Sequence, residues 1–326
     1  MNKNHTHPPT SPYETIYEEA WDLPPSFDLY STPEVHTISF CTTSTSADHH
    51  NDDSTIKHND YYSCTIDIEF IEPTTPLDIS NTFLSSKEYD GSGHCVWTGA
   101  FLLIQCMDEI LNRVRILPQN DLSSQNKKLN MIELGCGTGI GGLALMIALK
   151  TKTHLPMHVC FTDADPAVLN LCQRNCQQNK LSKDMYSIQE LTWGQQYLME
   201  ECATTSIKNN THDSFDIVLA TDVLYDIDML HPLFTTATQL LSNNPHGFFI
   251  LSHIPRACYN DNNPPEAMEN LEKYIVDQAR DHYGLSLSHT IRPPGTSEKM
   301  SHQVLEFCSK ESFDGSAIFL FQKNSR

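Results

Sequence analysis

The residues with the clearest chemical meaning form a glycine-rich turn behind a short apolar segment. Residues 131–142 read MIELGCGTGIGG, and the apolar run 143–149 follows at once. Strand, glycine turn and helix in this order allow backbone N–H groups to approach a ligand at a helix N-terminus. Glycine supplies the space and the positive φ angles that such an approach needs. The segment therefore predicts a site for a nucleoside-containing ligand.

Two registers of this turn indicate two different cofactors. Counting from Gly137 gives Gly137-x-Gly139-x-x-Gly142, which is typical of dinucleotide sites. Counting from the strand end gives Glu133-x-Gly135-x-Gly137-x-Gly139, which is typical of S-adenosylmethionine (SAM) sites. The second register begins where the apolar strand ends, and a carboxylate there can pair with a cationic amino-acid group but repels a pyrophosphate. SAM is favoured, while a nicotinamide cofactor and a turn without a ligand remain alternatives.

Further candidates follow the next two strands. Asp163 ends a second apolar segment, where its carboxylate can accept hydrogen bonds from both hydroxyls of a ribose. Asp165 could compete for this role, but Asp165-Pro166 has the pattern of an N-cap followed by proline at the first helical position. Trp193 lies just past the third strand, where its indole can cover an adenine ring or pack in the core.

The fourth strand carries a possible substrate side. Asp222 and Tyr225 stand three residues apart beyond its carboxyl end, at the edge where the glycine turn is expected. A carboxylate and a phenol at the mouth of a SAM pocket can grip an amine nucleophile before methyl transfer. The alternative is that Asp222 caps a helix and Tyr225 packs.

Alternating strands and helices must position these residues. This alternation predicts a mostly parallel sheet with helices on both faces and an antiparallel hairpin at one edge. In such sheets ligands bind beyond the carboxyl ends of the strands. The predicted strands are Asn130–Leu134, His158–Thr162, Tyr186–Leu191, Phe215–Thr221, Gly247–His253, Leu285–Ile291 and Ala317–Gln322, and the predicted helices are Ile140–Lys150, Pro166–Gln178, Ile227–Ser242 and Pro264–His282.

The N-terminal part has a different composition. Residues rich in Ser, Thr, His, Asp, Asn and Pro predict disorder there, although Val35–Cys41 alternates like a strand. Tyr61–Ile71 predicts a better strand, the prolines at 73 and 76 a turn into a hairpin, and Val96–Leu117 a helix. We expect three parts: a largely disordered tail at 1–60, a hairpin and helix extension at 61–128, and the core at 129–326.

The charge of the chain favours a basic partner over nucleic acid. The formal net charge is −20, and residues 1–80 hold 14 acidic but only 2 basic side chains. A nucleic-acid binder needs a basic face, so no direct nucleic acid is expected. A protein with a Lys/Arg-rich surface is the partner that matches this charge. The alternative is that the acidic residues only provide solubility.

The cysteines and the chain start indicate a reducing compartment. There are 11 cysteines and no C-x-x-C pair, so Cys160, Cys172 and Cys176 are interpreted as reduced thiols, and no metal is expected. The first residues lack the apolar stretch of a signal peptide, and the apolar runs are shorter than a membrane span. We expect a cytoplasmic and/or nuclear monomer without membrane contact.

With these residues identified, the chain resembles the seven-β-strand protein-lysine methyltransferases of the methyltransferase-like (family 16) group. The likeness covers roughly residues 94–326, and finer matches, among them Cys172-Gln-Arg-Asn175, are similar to the branch of methyltransferase-like protein twenty-two. Thr192 departs from the group, which usually has an acidic residue before the tryptophan of this motif. The motifs that carry the resemblance are Val96–Ala100, Ile132–Gly139, Thr162-Asp163, Leu191–Gly194 and the Asp-x-x-Tyr of Asp222–Tyr225.

The resemblance implies a Rossmann-like seven-stranded α/β fold and a SAM-dependent protein-lysine N-methyltransferase acting on a protein substrate. It places Asp222 and Tyr225 on the substrate side. The alternatives are a methyltransferase of the same fold acting on histidine, a small molecule or RNA, and a SAM-binding scaffold without catalysis. The expected cofactor residues are Trp97, Glu133, Gly135, Cys136, Gly137, Gly139, Asp163, Trp193 and Ala220.

Overall fold

A seven-stranded mixed sheet forms the centre of the chain. The computed structural model describes residues 34–45, 59–70, 91–114, 128–153, 155–194, 214–255, 265–293 and 313–324. Its strands are β3 Leu129–Leu134, β4 Met157–Asp163, β5 Tyr186–Glu190, β6 Ile217–Thr221, β7 Phe248–His253, β8 Leu285–Ile291 and β9 Ala317–Lys323. The strand order is β5-β4-β3-β6-β7-β9-β8, in which the first five strands run parallel and β9 is antiparallel to both of its neighbours. This confirms the predicted parallel sheet with an antiparallel edge.

Helices cover both faces of this sheet, as predicted. One face packs against α1 to α4 and the other against α5 and α7. A strand between two helical layers is covered on both sides, which explains why all six residues of β7 are buried and why its first four are apolar. The helices are α1 Thr98–Gln105, α2 Met107–Arg113, α3 Ile140–Lys152, α4 Pro166–Gln178, α5 Leu230–Leu240, α6 Pro265–Glu269 and α7 Leu271–Tyr283.

Two predicted helices are each divided in the structure. The helix predicted over Val96–Leu117 breaks at Cys106, whose backbone is not helical, into α1 and α2. The helix predicted over Pro264–His282 ends at Glu269 and restarts after Asn270, whose side chain accepts a hydrogen bond from the Lys273 N–H at 2.9 Å. Asparagine at an N-cap competes with a continuous helix in this way.

An antiparallel hairpin, β1 Glu34–Thr45 with β2 Asn59–Phe70, lies outside the central sheet. Its inner face buries alternate apolar residues, among them Ile38 and Ile66, against α3 and α4. The strand-like segment expected at Val35–Cys41 within the predicted tail lies in β1, where its alternation buries one face. Residues 1–33 and 46–58 of the predicted tail and the predicted turn at residues 73–76 lie outside the described residues, whereas residues 59 and 60 begin β2.

Within the described residues, no helix is long and apolar enough to cross a membrane.

Candidate functional site

The carboxyl ends of β3, β4 and β6 meet at one edge, and the glycine turn lies there. Gly135, Gly137 and Gly139 have φ angles of +66°, +52° and +80°, which other residues rarely adopt. A Cβ on Gly135 would lie 2.9 Å from both the Trp193 indole (Cζ2) and Val223 (Cγ1). At Gly135 the turn thus presents backbone without a side chain, enclosed by an aromatic ring and an aliphatic side chain.

Asp163 faces this turn from the end of β4. Its carboxylate accepts the Gly137 N–H at 3.0 Å and the Asp165 N–H at 3.2 Å, and partial burial raises the pKa of the carboxyl. A carboxylate offers about four acceptor positions, so capacity for ribose hydroxyls remains. Asp165 is the N-cap of α4 and accepts the Ala167 N–H at 2.8 Å, which confirms its predicted capping role.

Glu133 lies behind the turn, at the N-terminus of α3. Its fully buried carboxylate accepts the Gly142 N–H at 3.0 Å and the Thr221 hydroxyl at 3.4 Å. A Cβ on Gly141 would lie only 2.4 Å from Oε1. Burial raises the pKa of this carboxyl to about 8. Glu133 therefore supports the helix N-terminus, where the sequence suggested direct pairing with a cationic ligand group.

The position of Glu133 bears on the choice of cofactor. Dinucleotide sites offer the N–H groups of the helix N-terminus to a pyrophosphate. Here the Gly142 N–H is bonded to Glu133, and the Gly137 N–H is bonded to Asp163. The Asp163 carboxylate at this turn can bind ribose hydroxyls, whereas two N–H groups that a pyrophosphate would use already have carboxyl partners.

Two of the expected cofactor residues are directed into the core. Cys136 is buried, its N–H donates to the Thr162 carbonyl at 2.8 Å, and its carbonyl accepts the Gly139 N–H at 2.7 Å. Burial raises the pKa of the Cys136 thiol to about 11. Ala220 is fully buried in the apolar cluster under α5. The side chains of both residues shape the turn and the sheet edge from within.

Trp97 belongs to a segment that covers the turn from the N-terminal side. Its indole N–H donates to the Ser92 carbonyl at 2.8 Å, which closes residues 92–97 into a loop. A Cβ on Gly137 would approach the Gly93 carbonyl to 3.1 Å, so this loop touches the glycine turn directly. Trp97 is also the N-cap residue of α1, so this loop leads directly from the glycine turn into that helix.

Asp222 holds the N-terminus of α1. Its carboxylate oxygen Oδ2 accepts the Gly99 N–H at 2.8 Å, and its backbone has a φ angle of +58°. The Asp222 N–H donates to the Ser252 carbonyl at 2.9 Å, and the Ser252 hydroxyl donates to the Gly99 carbonyl at 2.6 Å. Helix capping, one of the two roles considered for Asp222, is thus present, while Tyr225 stays 37% exposed at the same edge.

Several residues at this edge were not identified from the sequence. Gly99 must lack a side chain because a Cβ there would lie 2.5 Å from Asp222 Cβ. Ser252 and Val223 complete the contacts around Asp222 and Gly135. Gly99 and Val223 lie inside motifs that were recognised, but their partners are more than 80 residues away. Only the folded chain shows those contacts.

The cysteines do not form a metal site in the described part of the chain. Cys172 and Cys176 pack on the α3–α4 face, whereas Cys160 belongs to the cluster on the opposite face of the sheet. Among the described residues, no group of three or more His, Cys, Asp or Glu side chains could hold a metal ion.

Known proteins resemble this chain both in sequence and in fold. The profile of a family described as lysine methyltransferase matches residues 77–273. Methyltransferase-like protein 22 from Mus musculus is 27% identical over 251 residues, which cover 70% of this chain and 56% of that protein. The chain thus spans little more than half the length of this relative.

Two solved structures are similar at low scores. Ribosomal protein L11 methylase from Lactobacillus delbrueckii subsp. bulgaricus has 13% identity and a TM-score of 0.37, with 68% of this chain and 79% of that chain covered. The DszA carbon methyltransferase has 16% identity and a TM-score of 0.41, with 69% and 54% covered. At these scores the likeness carries no argument about the site. Because the family profile covers more than half of the chain, the chain belongs to the lysine methyltransferase family, whose methyl donor is S-adenosylmethionine.

Proposed function

We propose that the chain is a SAM-dependent protein-lysine N-methyltransferase whose substrate is a protein with a basic, lysine-containing surface. The position of Asp222 and Tyr225 carries this proposal. Val223, between them, lies against Gly135, so the pair stands beside the glycine turn at one edge of the sheet. The family match supports a lysine target, and the net charge of −20 supports a basic partner.

SAM supplies an electrophilic methyl group on its sulfonium. The chain has to hold an amine nitrogen in line with that group, because proximity and alignment supply most of the rate of such a displacement. Asp222 is placed to accept an N–H hydrogen bond from the lysine ε-amine and so to direct its lone pair. A carboxylate stabilises the ammonium form, so Asp222 orients the amine, and the proton leaves to water before transfer.

Tyr225 complements this role from the exposed side. Tyr225 is 37% exposed, so an incoming side chain can reach this residue. The methylene stem of lysine packs well on an aromatic ring while its amine stays in a polar environment. We therefore assign Tyr225 to holding the stem and Asp222 to holding the nitrogen.

Labelling with a heavy methyl group tests the nucleophile directly. The full chain is incubated with SAM carrying a trideuterated methyl group and with a cell lysate, and the modified residues are identified by mass spectrometry. Heavy methyl groups on lysine that require the added protein are the expected result. Label on histidine, a small molecule or RNA would replace the proposed substrate class, and absence of label would indicate a SAM-binding scaffold.

A further inference from the structure

The outer edge of β2 is paired with side chains of α4 instead of another strand. The Asp67 N–H donates to Asn179 Oδ1 at 3.0 Å, and Asn179 Nδ2 donates to the Asp67 carbonyl at 2.7 Å. One helical turn earlier, the Glu69 N–H donates to Asn175 Oδ1 at 2.7 Å, and Asn175 Nδ2 donates to the Glu69 carbonyl at 3.1 Å. Two asparagines thus bind the hairpin as a neighbouring strand would.

Asn175 makes one contact that Asn179 does not make. Its Nδ2 also donates to the Thr138 carbonyl at 2.9 Å, and Thr138 lies between the second and third glycines of the turn. The second Nδ2 bond of Asn179 goes instead to the Asn175 carbonyl in its own helix, at 2.8 Å. Asn175 is fully buried, and both of its N–H donors and its amide oxygen are used.

The turn also packs directly against α4. A Cβ on Gly139 would lie 2.5 Å from the Cys172 sulfur, so the backbone of the turn touches this helix directly. Since Cys172 and Asn175 lie one turn apart on the same helix, the two contacts hold the turn at adjacent points. The amide of Asn175 therefore joins the hairpin backbone, the helix and the glycine turn at a single buried position.

We infer that Asn175 is a positioning residue for the cofactor: its amide fixes the glycine turn and links the turn to the hairpin backbone at Glu69, so SAM affinity depends on this amide. This goes beyond the choice of nucleophile and rests only on the placement of SAM at Gly135–Gly139. Without the Asn175 amide, the Thr138 carbonyl loses a donor and the turn samples other positions. Binding must then reorder the turn, and the affinity for the cofactor falls.

Asn179 offers a matched control. Asn179→Ala removes the same kind of two-point contact with the hairpin, but it leaves the Thr138 contact intact. Asn175→Asp keeps an acceptor for the Glu69 N–H and removes the Nδ2 donors to the Thr138 and Glu69 carbonyls. The three variants separate docking of the hairpin from support of the turn.

Calorimetric titration of the full chain with S-adenosylhomocysteine (SAH), together with thermal melting, tests the inference. We expect Asn175→Ala and Asn175→Asp to raise the dissociation constant for SAH at least about tenfold, which corresponds to about 1.4 kcal/mol. Asn179→Ala should change this constant less than about threefold. Wild-type affinity in the Asn175 variants, or an equal loss in Asn179→Ala, would overturn it. If the wild-type protein fails to bind SAH, the placement of the cofactor at Gly135–Gly139 is wrong, and this outcome is distinguishable from a failure of the role inferred for Asn175.

Hydrogen exchange on the wild-type chain covers the case in which the Asn175 variants do not fold. SAH is expected to slow exchange of the backbone amides near Glu69 as well as those of the glycine turn, because Asn175 joins the two. Protection of residues 135–142 without any change at residues 64–70 would contradict the coupling.

Discussion

Asp222 combines an unfavourable backbone conformation with a buried carboxylate. A φ angle of +58° is uncommon outside glycine, although Asp and Asn tolerate it best. Such conformations persist where the surrounding contacts enforce them, often at functional sites. Here the contacts are with Gly99 and Ser252, which hold α1 against the end of β6. The same carboxylate is proposed to orient the substrate amine.

Asp222→Asn separates the two roles of this side chain. Asparagine tolerates the positive φ angle and still accepts the Gly99 N–H, so the fold should lose less than about 1 kcal/mol. SAH affinity should stay within about tenfold, or 1.4 kcal/mol. Methyl transfer should fall about 100-fold or more because the amine is misaligned. Thermal melts, calorimetry and a transfer assay measure these effects, and unchanged transfer would limit Asp222 to capping α1.

Gly135 is a residue where both conformation and space exclude a side chain. Gly135→Ala should destabilise the protein and abolish SAH binding, since a Cβ would lie 2.9 Å from Trp193 and from Val223. Gly284→Ala is the control: its φ angle is +62°, but nothing lies within 4 Å of the added Cβ. That control should cost only about 1 kcal/mol in the free energy of unfolding. Normal SAH binding by Gly135→Ala would show that the cofactor lies elsewhere.

Glu133 makes stability depend on pH. Its pKa in the folded protein is about 8, above the ordinary value of 4.5. The folded state therefore holds a proton that the unfolded state releases, and this stabilising contribution is fully present below pH 4.5. It is lost as pH rises toward 8, by up to about 1.4 kcal/mol per pH unit. Denaturant unfolding without ligand at pH 5 and pH 8 should show wild type losing stability relative to Glu133→Gln. A constant difference would contradict the raised pKa.

At the scale of elements, α4 begins at a capped N-terminus next to the cofactor edge. Asp165 caps the helix, while Asp163, two residues earlier in the chain, accepts a hydrogen bond from the glycine turn. The two carboxylates have different roles because Asp163 ends strand β4 and Asp165 precedes helix α4.

This difference predicts opposite effects of two alanine substitutions. Asp165→Ala should lower the free energy of unfolding by about 1 kcal/mol through loss of the cap, with SAH affinity unchanged. Asp163→Ala should weaken SAH binding about tenfold or more, because hydrogen bonds to a carboxylate are worth about 1.5–3 kcal/mol. Chemical denaturation and calorimetry measure the pair. A larger loss of affinity in Asp165→Ala would reverse the assignment of the ribose contact.

The sequence was most informative where an element carries its own periodicity. The bounds of Pro166–Gln178 and Leu285–Ile291 agree with the structure, because the apolar spacing and the end residues define them locally. The break at Cys106 depends on how α1 and α2 pack, which a local pattern does not contain. The alternation of Val35–Cys41 indicated a strand, but its pairing with β2 and its burial against distant helices depend on the rest of the fold.

The candidate site shows the same difference between features that a local pattern predicts and features that depend on distant contacts. The glycine turn, Asp163 and Trp193 could be placed at one edge because parallel strands end there together. The inward direction of Glu133 could not be predicted, since its partner Thr221 lies on a strand 88 residues later. The role proposed for Asn175 likewise needed β2 and the turn to be seen together.

At the scale of the whole molecule, the charge of −20 creates a long-range field. Such a field accelerates encounter with a basic substrate and is screened by salt, with a Debye length of about 10 Å at 0.1 M.

We therefore predict that kcat/KM for a basic lysine peptide falls several-fold between about 20 and 200 mM NaCl. The affinity for SAH, measured in parallel, should change much less, because its contacts are short-range. A transfer assay at low peptide concentration measures the effect. Salt-independent kcat/KM would argue against steering by the acidic surface.

The most direct test of the cofactor site is a crystal structure of the full chain with SAH. We predict the nucleoside against Gly135–Gly139, the ribose hydroxyls within hydrogen-bonding distance of the Asp163 carboxylate, and the sulfur facing the edge that holds Asp222 and Tyr225. SAH bound away from the glycine turn, or with its sulfur directed away from Asp222, would contradict both the site and the proposed transfer.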